Sequence, residues 1–346
     1  MLKKLLFLLS IIAFCFSAKA QYSISGRVID SITSKPVENA NVYIDGTVFG
    51  TITDAQGKFV LEIEKQVNFP LVVSSVTYKP KVLSLNFTSK NIAFGTIALE
   101  EEVNNLTEVY IENDPWSRKR KLKYFRKWFL GEEYKAKKTK ILNEAAIRLK
   151  FIPSTNKLIA YADEALKIRN KKLGYLISYD LMEFELLFSQ IEFVVNNKKK
   201  TNYKEESSYF LGTSFFKELK PKKIEKYRKV RKKRYQGSTL HFMRALYNNQ
   251  LKEKNYRIFI KKTEIEPSQI FEVLQTDNLT HVRLHNKKTT VLYDDFYQSF
   301  IKVDQVPTDF SIDKNGNYKP VNALYLGGEM GQEKLSDFLP LNYKLE

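Results

Sequence analysis

Between Ile24 and Ile63 the chain alternates. Val28, Val42, Ile44, Phe59, Leu61 and Ile63 stand between polar neighbours, the period-two pattern of strands with one buried face. Asp54-Ala55-Gln56-Gly57 reads as a turn, in which Asp54 bonds its own backbone and Gly57 takes positive φ. Asp45-Gly46 is a second turn signal. Short strands separated by such turns predict an antiparallel β-sandwich. From Ala145 to Val194 the period of two returns. Ile147, Leu149 and Phe151 mark one strand and Leu158 to Ala162 another. Asn170-Lys171-Lys172-Leu173-Gly174 then turns into Tyr175 to Phe188, which predicts a three- or four-stranded antiparallel sheet. Further strands are expected at Ile270 to Leu274, Thr280 to His285, Thr290 to Tyr293 and Phe300 to Val303.

Helical spacing occupies the intervals. Ser117 caps a helix that Gly131 stops, with Leu122, Phe125, Trp128 and Phe129 in one stripe and Arg118, Lys121, Lys123, Arg126 and Lys127 over the rest. That stripe either packs on its own domain or lies on a membrane surface. Ile224, Tyr227 and Val230 give weak helical character to a basic segment from Lys217 to Arg234. Gly237-Ser238 ends it and caps the next helix, whose apolar face is Leu240, Met243, Leu246 and Tyr247. His241, Arg244, Ala245 and Asn248 share another face, a candidate polar binding face. Strands grouped around a helical insert read as α+β. The fold class is therefore mainly β and α+β, with no visible internal repeat.

The first twenty residues change the picture. Lys3 and Lys4 precede an apolar run from Leu5 to Phe16, and Ala18-Lys19-Ala20 supplies small residues for cleavage between Ala20 and Gln21. The run is short of the ~20 residues a spanning helix needs. Cys15 half-resembles a lipidation site, with Phe14 where a small residue is required. Cleavage after Ala20 removes the only cysteine, so the exported chain is expected to lack disulfides. No later run reaches spanning length without charge. The expected partition is a signal peptide (1–20), a sandwich (21–100), a linker (101–114) and an α+β domain (115–346). Charge follows it. Gln21 to Glu100 is neutral, with seven basic and seven acidic residues, while residues 101–346 hold 47 basic against 32 acidic.

The N-terminal residues Gly26-x-Val28-x-Asp30, Pro36-Val37, Ala40-x-Val42-x-Ile44-x-Gly46 and Gly50-Thr51-x-Thr53-Asp54-x-x-Gly57-x-Phe59 resemble the carboxypeptidase regulatory-like domain. The resemblance implies a transthyretin-like sandwich of the kind common in secreted Bacteroidetes proteins. It also implies a setting near the outer membrane, because this sandwich occurs at the front of TonB-dependent receptors. One departure is Thr77-Tyr78, where the family has Gly-Tyr. More loosely, Lys172-Leu173-Gly174-Tyr175, Gly237-Ser238-x-x-His241-Phe242-x-Arg244-Ala245-Leu246 and Gly328-Glu329-Met330-Gly331 through Leu339-Pro340 resemble the uncharacterised region that accompanies the sandwich in such proteins. That second likeness implies no activity.

The candidate chemistry is sparse. A zinc peptidase needs imidazoles and carboxylates on one metal. The histidines are His241, His281 and His285, and none opens a His-x-x-Glu. On a strand, His281 and His285 stand about 13 Å apart, too far to share an ion. Asp313-x-Asn315-Gly316-Asn317 fails the calcium-loop pattern and reads as a hairpin turn. Gly212-Thr213-Ser214 lacks the second glycine of a nucleophile elbow. No cofactor or metal is expected. The feature that points to a ligand class is Arg228, Lys229, Arg231, Lys232, Lys233 and Arg234, a cluster that attracts polyanions. Export argues against nucleic acid and leaves anionic glycans, lipid headgroups or an envelope protein as partners. The expected function is a non-catalytic envelope protein. The alternatives are a hydrolase with an unrecognised site and a soluble accessory of a TonB-dependent system.

Overall fold

The computed structural model describes residues 22–345 except 65, 68, 88, 102–111, 132–137, 196–197, 220–223 and 277–278. The expected leader, with Cys15, Ala20 and Gln21, and most of the expected linker lie outside those residues. The chain divides into two compact units, residues 1–45 with 49–103 and residues 46–48 with 104–346.

The first unit has seven described strands: β1 (Tyr22–Asp30), β2 (Asn41–Ile44), β3 (Gly50–Ile52), β4 (Lys58–Ile63), β5 (Leu71–Ser74), β6 (Lys81–Leu83) and β7 (Asn91–Leu99). They form two sheets, ordered β4-β1-β7 and β3-β2-β5-β6. Every pair is antiparallel except β1 with β7, which runs parallel with a register shift between Ser25 and Arg27. In β4 the alternation is complete, with Phe59, Leu61 and Ile63 buried and their neighbours exposed. In β5 all four residues are buried. The turn before β4 is built by Asp54, whose carboxylate accepts from the Gln56 and Lys58 amides at 2.9 and 2.8 Å. Gly57 takes φ +72°, and a Cβ there would lie 2.3 Å from the Val28 carbonyl oxygen.

The second unit opens with α1 (Arg118–Leu130), followed by β8 (Thr139–Ile141), β9 (Ile147–Ile152), β10 (Lys157–Ala162), β11 (Leu166–Asn170), β12 (Tyr175–Val195) and β13 (Lys198–Glu218). The expected three- or four-stranded sheet has six strands. β13 pairs along the whole of β12, so β11 and β10 occupy its other edge in succession, at Tyr175–Tyr179 and Phe184–Leu187. The sequence pattern hides β13 because much of that strand is exposed on both faces; from Thr201 to Glu218 only Thr213 and Phe216 are buried. Phe125, Phe129 and Leu130 of α1 enter the core of this sheet. The aromatic stripe is therefore packed on its own domain. Trp116 stacks on Phe151 with ring centroids 3.8 Å apart and planes at 3°.

Two helices follow, α2 (Ile224–Tyr235) and α3 (Thr239–Tyr247). Beyond them come β14 (Tyr256–Ile260), β15 (Thr263–Ile265), the one-turn α4 (Pro267–Ile270), β16 (Phe271–Gln275), β17 (Leu279–Leu284), β18 (Lys288–Tyr293), β19 (Tyr297–Lys302), β20 (Thr308–Asp313), β21 (Tyr318–Lys319) and β22 (Tyr325–Gly328). They make two antiparallel sheets, β15-β14-β18-β19-β22 and β16-β17-β20-β21. Phe242, Met243, Ala245 and Leu246 of α3 share a second core with these strands. Ser238 caps α3, its hydroxyl accepting from the His241 amide at 3.1 Å.

Thr77 stands where the resembled family has glycine, and it adopts φ +75°. A β-branched residue in that region is strained. Relief of the left-handed conformation, ~1–2 kcal/mol, exceeds the added chain entropy of glycine, ~0.5–1 kcal/mol. Thr77→Gly is expected to stabilise the first unit by about 1 kcal/mol, measured as a rise in thermal midpoint. By contrast, Phe125→Ala empties the core under α1 and should cost about 3–5 kcal/mol by denaturant titration.

Candidate functional site

Helix α2 places the six basic residues on different surroundings. Arg231 is buried. Its Nε donates to the Leu173 carbonyl at 2.8 Å, Nη1 to Glu218 at 2.7 Å and Nη2 to the Gly174 carbonyl at 3.4 Å. Its guanidinium carbon lies 4.0 Å from the Tyr175 ring centroid. The side chain is thus a structural staple between α2 and the start of β12. Arg228 pairs with Glu225 at 2.7 Å and Arg234 with Asp337 at 3.1 Å. Lys229, Lys232 and Lys233 are exposed.

Beside α2 lies a cleft of about 700 Å³, lined among others by Tyr175, Arg228, Lys229, Lys232, Tyr343 and Lys344. Its carboxylates, Glu218 and Glu225, face Arg231 and Arg228. Lys229, Lys232 and Lys344 have no ion pair among the described residues, so the lining carries a positive excess over aromatic surface. The arrangement can hold an anion by charge while an apolar ring face packs on the half-buried Tyr343. Lys233 and Arg234 do not line it. Sequence spacing signalled the lysines of α2. It gave no signal for Tyr343 or Lys344, which the fold brings from the far end of the chain.

The face of α3 carrying His241, Arg244 and Asn248 belongs to a separate cleft of about 370 Å³ that also includes Tyr235, Glu253 and Tyr293. Here the polar groups are engaged with the protein. Arg244 donates from Nε to the Asn315 carbonyl at 2.9 Å, from Nη1 to Tyr343 at 2.8 Å and from Nη2 to Leu341 at 2.9 Å. Asn248 donates to the Arg244 carbonyl at 2.7 Å. His241 Nδ1 lies 3.2 Å from the Gly237 amide, which donates to it, and 3.0 Å from the Tyr256 hydroxyl. Burial, reinforced by the charges of Lys254 and Arg244, lowers the imidazole to about 4. Among the described residues, no serine lines this cleft.

The other histidines stay apart. His281 bonds Ser311 at 2.8 Å, and His285 pairs with Glu272 at 2.9 Å. Asp313 accepts from the Asn315 and Asn317 amides at 2.8 and 3.2 Å, closing the β20–β21 hairpin at Gly316, φ +85°. Ser214 lies within β13, not at a strand-to-helix elbow.

Comparison with known proteins bears on the first unit. The family model of the CarboxypepD_reg-like domain matches residues 24–111. Residues 24–111 carry a CarboxypepD_reg-like domain. Over 111 residues the chain is 34% identical to the TonB-dependent receptor SusC of Bacteroides thetaiotaomicron, covering 32% of this chain and 10% of the receptor. The chain therefore spans about a tenth of that relative's length. Among solved structures, a proposed carbohydrate-binding protein of Bacteroides uniformis is 9% identical, with 89% of this chain and 98% of that one covered at a TM-score of 0.17. A proposed membrane-associated protein of unknown function from Bacteroides fragilis is also 9% identical, covering 89% and 93% at a TM-score of 0.19. Scores of that size do not establish a common fold, and the functional reading does not rest on them. The CarboxypepD_reg-like domain is the region over which the chain is distantly similar to SusC.

Removing the Arg231 side chain takes the donor from the Leu173 carbonyl and the partner from Glu218, while the Gly174 carbonyl keeps the Leu219 amide at 2.9 Å. Arg231→Ala is expected to cost about 3 kcal/mol in denaturant unfolding, whereas Lys229→Gln and Lys232→Gln should leave stability within about 0.5 kcal/mol. A second prediction concerns pH. Glu333 accepts from the Thr239 amide at 2.7 Å, and burial of its carboxyl raises it from 4.5 to about 7. Its folded-state proton contributes stability that is present below pH 4.5 and lost as pH rises to about 7. His241 has the opposite sign: its contribution is present above pH 6.5 and lost as pH falls to about 4. The two offset each other across their overlap. In Glu333→Gln the histidine acts alone, so acid destabilisation between pH 6.5 and 4 should be steeper than in the parent, measured by thermal midpoints across that range.

Proposed function

We propose that this is an exported envelope protein that acts by binding and not by catalysis. The CarboxypepD_reg-like domain docks a protein partner, and the basic α+β unit holds an anionic glycan or lipid headgroup in the cleft beside α2. The observation that carries the reading is the trio Lys229, Lys232 and Lys344, without ion pairs among the described residues, sharing one cleft with the half-buried Tyr343. An ammonium group with no protein partner keeps its charge available to a ligand, and clustered ammoniums sum their fields. The basic excess of the residues after Glu100 supports the same ligand class.

The similarity to SusC favours a more specific setting, that of a soluble accessory in a TonB-dependent outer-membrane system. A hydrolase finds less support. Among the described residues, the cleft beside α2 is lined by no serine, cysteine or histidine, and the cleft at His241 offers a carboxylate but no serine.

The ligand reading is tested by titrating the full chain with polygalacturonate and with lipopolysaccharide at low and moderate salt. The triple variant Lys229→Gln/Lys232→Gln/Lys344→Gln should bind at least tenfold more weakly, with a shallower salt dependence. Preference for polygalacturonate indicates carboxylated glycan, and preference for lipopolysaccharide indicates a phosphorylated one. Equal binding by parent and variant, or none by the parent, overturns the assignment. For the partner reading, crosslinks from the full chain in its native envelope should map to the described part of residues 24–111 on one side and to an outer-membrane protein on the other.

A further inference from the structure

The β12–β13 ladder runs beyond its sheet. β11 leaves β12 at Tyr179 and β10 leaves it at Leu187. From Ser189 opposite Lys204 to Val195 opposite Lys198, the two strands pair with each other alone among the described residues. Seven residues at ~3.3 Å each make a ribbon of about 20 Å. Its root is anchored firmly. Trp116 lies edge-on to Phe188 and Tyr203 at 5.1 Å, and the Arg120 guanidinium sits 3.8 Å from the Trp116 ring centroid.

Past that root the apolar residues lose their cover. Ile191, Phe193 and Val194 are 47%, 41% and 65% exposed. Three large apolar side chains on a lone ribbon are costly in water, since a two-stranded ribbon is marginal by itself and such edges invite pairing. The register sets Phe193 opposite Lys200 and Val194 opposite Lys199. Between Ser189 and Lys204 the sequence has four lysines against one glutamate. Exposed apolar residues in so basic a stretch of sequence match a surface that is apolar within and anionic at its face. A second copy of the chain fits less well, because a stable interface buries ~800 Å² on each partner, more than three side chains supply.

We infer that this ribbon docks on an anionic lipid surface, with Ile191, Phe193 and Val194 entering the boundary between headgroups and acyl chains. The attachment is separate from the cleft beside α2 and does not depend on it. The test is cosedimentation of the full chain with phosphatidylcholine vesicles, with and without phosphatidylglycerol. Binding should require phosphatidylglycerol and fall at least tenfold in Ile191→Ser/Phe193→Ser/Val194→Ser. The variant Lys198→Gln/Lys199→Gln/Lys200→Gln should lose the preference for phosphatidylglycerol. Phe193→Trp should add an emission component that shifts to the blue on binding and is quenched by brominated acyl chains, over the background of Trp116 and Trp128. Within the cleft variant Lys229→Gln/Lys232→Gln/Lys344→Gln, the serine substitutions at Ile191, Phe193 and Val194 should still lower binding at least tenfold. Absence of binding by the parent overturns the inference. So does binding that survives the ribbon substitutions but is lost in the cleft variant, which would assign the lipid to the cleft. Lipid-free self-association abolished by the serine substitutions would make the ribbon a contact between copies instead.

Discussion

The antiparallel ladder between β12 and β13 is the constraint on which much of the second unit depends. Because β13 takes one edge of β12 along its length, β10 and β11 must share the other. That arrangement gives α1 a continuous apolar surface to cover, and it fixes the place where Arg231 finds the Leu173 and Gly174 carbonyls. A shift of one residue in this pairing would turn Phe184 and Leu186 out of the core. The bulges at Leu181/Glu183 and Leu187/Phe188 give the strand two fixed irregularities to match against its partner.

Arginine and lysine divide the labour inside the basic region. The guanidinium forks of Arg231 and Arg244 each reach three acceptors and tie distant segments together, α2 to β12 and α3 to the 341–343 stretch. Lysines carry the outward charge. The planar fork suits several fixed acceptors, whereas the ammonium on a flexible stem adapts to a ligand that varies. A run of positive charge in sequence is therefore two populations in space, and the charge open at the cleft comes from the lysines.

What the sequence made legible follows the same division between local and distant causes. β1, β2 and β4 were readable because Val28, Val42, Ile44, Phe59, Leu61 and Ile63 recur at every second position and are buried. The turn at Asp54–Gly57 was readable because its bonds close within four residues, whereas β5, buried at all four positions, has no alternation to read. β13 was not readable, since a strand exposed on both faces has no reason to alternate. The departure at Thr77 drew notice as a residue type, but its cost became visible only as a backbone angle. In the basic segment the spacing identified a helix and a charge, while the burial of Arg231 depended on Tyr175 and Glu218, which precede the helix. The polar face at His241, Arg244 and Asn248 was real as geometry. Its bonds to Tyr256, Asn315 and the 341–343 stretch turn it inward, and helical periodicity has no access to partners so far along the chain.

Arg244 also changes the meaning of the chain's last residues. By bonding the carbonyls of Leu341 and Tyr343 it makes that stretch a clasp on α3, not a tail. A proteolytic clip just before Leu341 would strip two of three acceptors from a half-buried cation and loosen the helix that closes the second core. Nicking at that point would be felt as lost cooperativity across the unit, although no element of regular structure had been cut.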